Sequence, residues 1–332
     1  MLGSGFDNLM NFKKVLLTPF YIVEIFTWSK SFKRNPIIGS YLLNFFGLHI
    51  FRVWVSYIFF RLRLLQLFWL LDKDNRKEFR QKGYLFFENI LNQKDYEIIK
   101  KMVYSDKFGE HFIKEGSTLV KRHYVSSEIL KKIENKKLKK LLKYISSVGS
   151  YPLMGFESVC QSKQSTKVKD TQSNWHRDTF HPCVKGWLYF NDVDSNNGSF
   201  EYLEGSHKLT LKRIIWEYKE SLLACKNHSR GYDGAFRISE NDIKRSFKLN
   251  KSVTCKVPEG TLVVANVFGF HRRGDVSLRG SEVSRSSLWF QARSYPFSPF
   301  PLRALSGVRT YIAQSYRKRE YKQKLSKHKG DL

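Results

Sequence analysis

The sequence predicts an α+β protein: an antiparallel double-sheet barrel, or jelly roll, with flanking helices and a basic, apolar helical segment in front of it. Three observations predict this. From Tyr151 onward, short β-branched and aromatic runs alternate with Gly, Asn, Asp and Pro turns. Between the start of that region and residue 73, apolar residues recur at helical spacing on segments with basic outer faces. The first 72 residues differ from both, with apolar and aromatic runs broken by single basic residues. At 332 residues and 42% hydrophobic content, the chain can bury a substantial core as one domain or two.

Taken in order, segment 1–72 contains the runs Val15–Val23, Ile37–Phe51, Val53–Phe60 and Leu64–Leu71. It has no small-residue cleavage site, and its apolar runs continue past the length of a signal peptide. Arg52, Arg61 and Arg63 interrupt it, so no charge-free stretch reaches the ~18 residues of a confident membrane span. At about 100° per residue, Arg52 and Arg63 share one helix face and Arg61 lies nearly opposite. The expectation is a set of helices in or on a membrane interface, with Lys13, Lys14, Lys30, Lys33, Arg34 and the three arginines reaching toward anionic headgroups. The alternative is a helical subdomain packed on the core, with the arginines at its surface.

The polar stretch Asp72–Glu78 marks a boundary, and a catalytic domain is expected over 73–300. Gly83–Glu88 reads as a short strand, Gln93–Tyr104 as a helix with Ile98, Ile99 and Val103 inward, and Ser126–Tyr144 as a strongly basic helix. The β-core is expected over 151–296, with strands Gly155–Ser162, Val184–Asn191, Ser199–Leu203, Ser252–Val257, Leu262–Asn266 and Ser286–Ser294. A helical and loop insertion occupies 208–249, and 301–332 is a basic helix or tail.

Charge is the most unusual bulk property. The chain has 58 Lys and Arg against 30 Asp and Glu, a net +28 that seeks polyanions: anionic lipid, acidic substrate or nucleic acid. Cys160, Cys183, Cys225 and Cys255 form no CxxC or CxxH pair, which argues against structural zinc and for reduced thiols. Neither a GxGxxG nor a GKS or GKT phosphate loop is present, so nucleotide chemistry has no support.

His176-Arg177-Asp178 carries the candidate chemistry. In extended backbone, residues i and i+2 face the same way, so His176 and Asp178 can both point into a barrel mouth. Downstream, Leu262-Val-Val-Ala-Asn-Val-Phe-Gly-Phe-His271 reads as a buried strand delivering a second histidine. Two imidazoles and one carboxylate can hold one face of an iron ion and leave the other face open. The strand beginning at Arg285 then presents Arg285, Ser287, Trp289 and Gln291 on one face. An Arg with a hydroxyl two residues later suits a carboxylate.

From Gly155 to Arg293 the sequence resembles the phytanoyl-CoA hydroxylase-like branch of the Fe(II)- and 2-oxoglutarate-dependent oxygenases. Four pieces match in order: His176-x-Asp178; Leu188-Tyr-Phe-Asn-Asp-Val-Asp194 with Asn197-Gly198; Gly205-Ser206-His207; and His271 followed by Arg285. The chain departs from that pattern at Glu204, where the family usually has Pro, and in a longer stretch between His271 and Arg285. The resemblance implies a double-stranded β-helix, a cupin-like jelly roll. It also implies iron ligands at His176, Asp178 and His271, a 2-oxoglutarate-binding Arg285 helped by Ser287, and O2 as the third reactant. Arg279, within Arg279-Gly-Ser281, is the alternative oxoglutarate arginine. His207 is expected to be structural.

The chain is also similar to bacterial hydroxylases acting on the Kdo sugar of lipid A precursors. This implies an anionic glycolipid substrate in lipopolysaccharide biosynthesis and a peripheral location on the cytoplasmic face of the inner membrane. Lys185, Lys208, Lys212 and Arg213 are the expected substrate contacts. Two rival expectations are hydroxylation of another acyl or isoprenoid lipid, and a non-catalytic basic protein that binds membrane or nucleic acid.

Overall fold

Two antiparallel sheets face one another in the computed structural model, which describes residues 18–105, 110–115, 118–126, 128–161, 170–226, 234–247, 251–276 and 283–302. The strands among the described residues are β1 (Tyr84–Phe87), β2 (His111–Glu115), β3 (Thr118–Val125), β4 (Leu153–Gln161), β5 (Val184–Tyr189), β6 (Phe200–Leu203), β7 (Ser252–Thr254), β8 (Leu262–Asn266), β9 (His271–Arg273) and β10 (Val283–Ala292). The larger sheet runs β1-β8-β5-β10-β4-β3-β2 and the smaller one β7-β6-β9. The basic tail beyond Leu302, and Lys13 and Lys14, lie outside the described residues.

The alternation of side chains divides the core in two. One face of the large sheet presents Phe156, Leu188, Phe190, Leu262, Val264, Leu288 and Phe290 to the helices. The other presents Tyr189, Val263 and Ala265 to Phe200 and Tyr202 of the small sheet. Strand β8 is buried on both faces, as its unbroken Leu-Val-Val-Ala requires. This is the jelly-roll arrangement. The sequence reading does not include the β2–β3 hairpin, whose Lys121, Arg122 and His123 interrupt the apolar alternation.

Two segments differ from expectation. The polar stretch Asp72–Glu78 is helical: Asp72 caps a helix, Lys73–Lys82, by accepting from the Asn75 N–H at 3.0 Å. Gly83, at φ 90°, ends that helix in the left-handed conformation and turns the chain into β1. The single helix expected over Ser126–Tyr144 is two helices, Ile129–Lys132 and Lys136–Ile145. The buried carboxylate of Asp95 causes the break. It accepts from the Glu134 and Asn135 N–H groups at 2.8 and 3.0 Å, and Asn135 then caps the second helix.

The helix Leu48–Gln66 overturns a larger expectation. Its arginines do not reach outward: Arg52 and Arg63 are each 1% exposed. Arg52 donates to the carbonyls of Ile25 (2.8 Å) and Ser29 and lies over the Phe180 ring at 4.1 Å. Arg63 donates to the carbonyls of Tyr295 (3.1 Å) and Ser298 and to Ser294 Oγ at 2.8 Å. Arg61, on the other face, is exposed, as the helical angle predicts. The segment is therefore fastened to the barrel through its polar face.

A buried charge cluster joins this helix to the barrel. Glu217 lies on the helix Leu211–Lys226 and is fully buried. Its two carboxylate oxygens each accept from Arg177 at 2.7 Å. Arg213 Nε adds a bond at 3.1 Å and His49 Nε2 another at 2.9 Å. Burial alone would raise the Glu217 carboxyl, but Arg177 and Arg213 outweigh it and hold it well below the ordinary range. Arg213 is thus a structural residue, not a substrate contact; its remaining N–H groups go to the carbonyls of Ser206 and Phe268 at 2.8 and 2.9 Å.

Replacing Glu217 with Ala leaves two buried guanidinium groups without their counter-ion. The expected loss is about 3–5 kcal/mol of unfolding free energy in urea titrations. A loss below about 1 kcal/mol would show that the cluster does not fasten the layers.

Candidate metal centre

His176, Asp178 and His271 converge, with one potential ligand atom from each lying within 4.8 Å of the others. Local backbone pairing explains why. His176 and His271 form a reciprocal bridge, each N–H donating to the other's carbonyl at 3.0 Å. The Arg177 N–H donates to the Phe236 carbonyl at 3.0 Å and the Asp178 N–H to the Val267 carbonyl at 3.2 Å. The segment is therefore held extended between two neighbours. Alternation sends Arg177 outward to Glu217, while His176 and Asp178 share the opposite face.

Both imidazoles are oriented by carbonyl oxygens. His176 Nδ1 lies 2.7 Å from the Asn174 carbonyl and His271 Nδ1 lies 3.0 Å from the Gly269 carbonyl. A carbonyl can only accept, so each Nδ1 carries the proton and each Nε2 turns its lone pair toward Asp178. The Nε2 atoms of His176 and His271 are 3.8 and 3.6 Å from Asp178 Oδ1. Close packing fixes the turn before His271: a Cβ on Gly269 would stand 2.0 Å from Tyr202 Oη.

The electrostatics suit a cation. Burial, then the neighbouring His271, pushes His176 down to about 3, so it stays neutral. Burial opposes ionisation of Asp178, but the Lys185 ammonium holds its carboxyl well below the ordinary range. Lys185 Nζ is 2.6 Å from Asp178 Oδ2, and Lys30 Nζ donates to the Asp178 carbonyl at 2.8 Å. Two metal bonds of about 2.1 Å can bridge separations up to about 4.2 Å, so the nitrogen-to-carboxylate distances fit one ion. Two imidazoles and one carboxylate match the donor set of a non-haem Fe(II) facial site.

Arg285 opens the adjoining wall of the barrel. It is 6% exposed, and its Nε and Nη1 have no hydrogen-bond partner. Its nearest carboxylate, Glu157, lies 3.7 Å from Nη2 and is engaged by Arg122 at 2.6 and 2.7 Å. Arg122, then Arg285, holds Glu157 down to about 2 against the effect of burial. Two buried guanidinium nitrogens without partners form a ready anchor for an incoming carboxylate. Ser287 is buried two residues on, in the same strand and on the same face. Arg279 lies outside the described residues.

Of the proposed substrate contacts, Lys185 alone pairs with Asp178, while Lys208 and Lys212 are exposed. Lys30, expected at lipid headgroups, donates to the Asp178 carbonyl, and no local signal marks Arg122, Glu157, Arg177 or Glu217. Each depends on a partner far along the chain. His207 is buried with Nε2 3.2 Å from the Arg80 carbonyl, a structural place. All four cysteines are free thiols. A cavity of about 540 Å³ between the Gln93–Ser105 helix and the outer face of the large sheet, lined by Tyr104, His123 and Ser286 among others, contains none of the three converging residues.

No family model matches the sequence, and no curated protein matches it. Among solved structures, the chain is similar to HygX from Streptomyces hygroscopicus with nickel, 2-oxoglutarate and hygromycin B bound. That likeness has 14% identity and a TM-score of 0.38, covering 67% of this chain and 86% of HygX. It is similar to EctD from S. alaskensis in its apoform, with 11% identity and a TM-score of 0.43, over 69% and 81% of the two chains. For AviO1 from Streptomyces viridochromogenes Tue57 the values are 17% and 0.39, over 67% and 96%.

Removing one ligand should cost more than the roughly 10–100-fold affinity loss typical of a lost outer partner. Asp178→Ala is therefore expected to weaken Fe(II) or Co(II) binding by more than about 100-fold in metal titrations. Unchanged affinity would place the metal elsewhere. A second expectation concerns acid. Glu157 is depressed from 4.5 to about 2, so its contribution to stability is complete above pH 4.5 and is lost as pH falls toward 2. Glu157→Gln should remove that part of the acid limb in unfolding curves; an unchanged limb contradicts the assignment.

Proposed function

We propose that the protein is an Fe(II)- and 2-oxoglutarate-dependent dioxygenase that hydroxylates an anionic, membrane-presented substrate. One observation carries the reading: a His176–Asp178–His271 cluster shares the barrel interior with an arginine whose buried N–H groups await an acceptor. Strand β5 links the two places. Lys185 and Tyr189 stand on one face of it, the first against Asp178 and the second beneath Arg285 at 6.0 Å.

With Fe(II) and oxoglutarate bound, such a centre couples decarboxylation of oxoglutarate by O2, giving succinate and CO2, to insertion of the second oxygen atom into a C–H bond. The chain's own residues do the positioning. His176, Asp178 and His271 hold the metal, and Arg285 with Ser287 orients the far carboxylate of oxoglutarate. The buried walls around them exclude water.

Lys185 supports an anionic substrate. Once Asp178 serves a metal, the Lys185 ammonium stands beside the centre with a weakened counter-ion, and a substrate carboxylate or phosphate can replace it. The Kdo sugar of Kdo-lipid A, met at the cytoplasmic face of the inner membrane, has that chemistry.

The test is to admit O2 to anaerobic protein with Fe(II), oxoglutarate and either Kdo-lipid A or a total lipid extract. A product heavier by one oxygen is expected from Kdo-lipid A. A product found only among other acyl or isoprenoid lipids would overturn the Kdo assignment. Arg285→Ala should raise the apparent KM for oxoglutarate by at least about tenfold, the equivalent of one charge-assisted bond. An unchanged KM would move that role to Arg279.

A further inference from the structure

The helix Leu48–Gln66 is inverted. His49, Arg52, Ser56 and Arg63 are buried along one stripe, together with Val53 and Phe60. The opposite stripe carries Phe51 (49% exposed), Trp54 (52%), Ile58, Leu62 and Leu65 (64%). These five recur at i, i+3, i+7, i+11 and i+14, a continuous apolar line down one helix face. Flanking segments extend it. Leu42, Phe45 and Phe46 (77%) are exposed in and just after the short helix Tyr41–Phe45, and Phe68 and Trp69 (60%) follow the long helix. Surface helices of water-soluble domains place these two faces the other way round.

Charge around this face has one sign. Between Thr18 and Leu71 the only acidic residue is Glu24, against six Lys and Arg. Glu24 is internally engaged, accepting from Asn35 Nδ2 at 2.7 Å. Lys33, Arg34 and Arg61 are exposed. At the two ends, Lys226 lies over the Tyr41 ring at 4.9 Å and Arg76 over the Phe68 ring at 5.3 Å. Aromatic and aliphatic side chains with long cations at their border fit the boundary between acyl chains and anionic headgroups. A second copy of the chain fits poorly, because each copy carries +28. Among the described residues no helix is long and apolar enough to cross a membrane.

We propose that this face, from Leu42 through Leu65 to Trp69, docks the protein on one leaflet of an anionic lipid bilayer without spanning it. The face is defined by burial, independently of the chemistry at the metal centre. Its inward side is linked to that centre through intermediate residues: Arg52 holds the Ser29 carbonyl beside Lys30, which reaches the Asp178 carbonyl, and His49 holds Glu217, the partner of Arg177. Docking therefore sets the metal site at a fixed height above the lipid surface.

The test is flotation of the full chain with vesicles of phosphatidylcholine alone and with vesicles containing phosphatidylglycerol. The wild type should float with the phosphatidylglycerol vesicles and do so less well at high salt. Trp54→Glu with Leu62→Glu, both exposed, should cut that partition at least about tenfold. Metal binding and thermal unfolding should stay unchanged, which separates lost docking from lost folding and from lost chemistry. Two results would overturn the proposal: wild-type protein that binds metal yet floats with neither vesicle, or a double variant that floats like wild type. A dimer in sedimentation that the same substitutions dissolve, with flotation unaffected, would assign the face to a second copy.

Discussion

The carboxylate of Glu217 is the interaction on which the rest of the structure depends. It is buried with Arg177, Arg213 and His49 around it, and each partner belongs to a different part of the chain. Arg177 lies between the two ligand positions His176 and Asp178, so fixing its guanidinium fixes the extended segment that presents both. Arg213 braces the turn before His271 through the Phe268 carbonyl, and His49 brings in the inverted helix. A single buried anion with three cationic or donor partners offsets a desolvation cost that no apolar packing would incur. What it supplies is register between the His176–Asp178 segment, the helix Leu211–Lys226 and the helix Leu48–Gln66.

The same economy explains the inverted helix. The buried arginines donate to the backbone carbonyls of Ile25, Ser29, Tyr295 and Ser298. With His49, Arg52, Ser56 and Arg63 committed inward, the helix presents a largely apolar stripe outward, beside the exposed Arg61. The exposed apolar stripe and the stripe that carries His49 and Arg52 are therefore two sides of one helix.

Much of the barrel is legible in the sequence because its signals are local. Leu262–Asn266 is apolar throughout and bounded by turns, and its observed limits coincide with the expected ones. The His-x-Asp spacing and the strand opening at Arg285 are also local. What is not legible depends on distant partners. Asp95 breaks a lysine-rich helix by taking two N–H groups about 40 residues away. Helical angle places Arg52 and Arg63 on one face, but only the carbonyls of residues 25–29 and 294–298 decide that this face is the inner one. Arg213 looks like a surface cation at a site mouth until Glu217, four residues on, is seen to be buried with it.

The central claim is that His176, Asp178 and His271 hold a metal on which a keto acid is chelated while Arg285 grips its far end. Anaerobic titration of the Fe(II)-loaded protein with oxoglutarate, followed by visible absorption, tests it most directly. A saturable charge-transfer band is expected in the wild type, absent in His176→Ala and displaced to higher oxoglutarate concentration in Arg285→Ala. Wild-type protein that binds Fe(II) and develops no such band at saturating oxoglutarate would contradict the account.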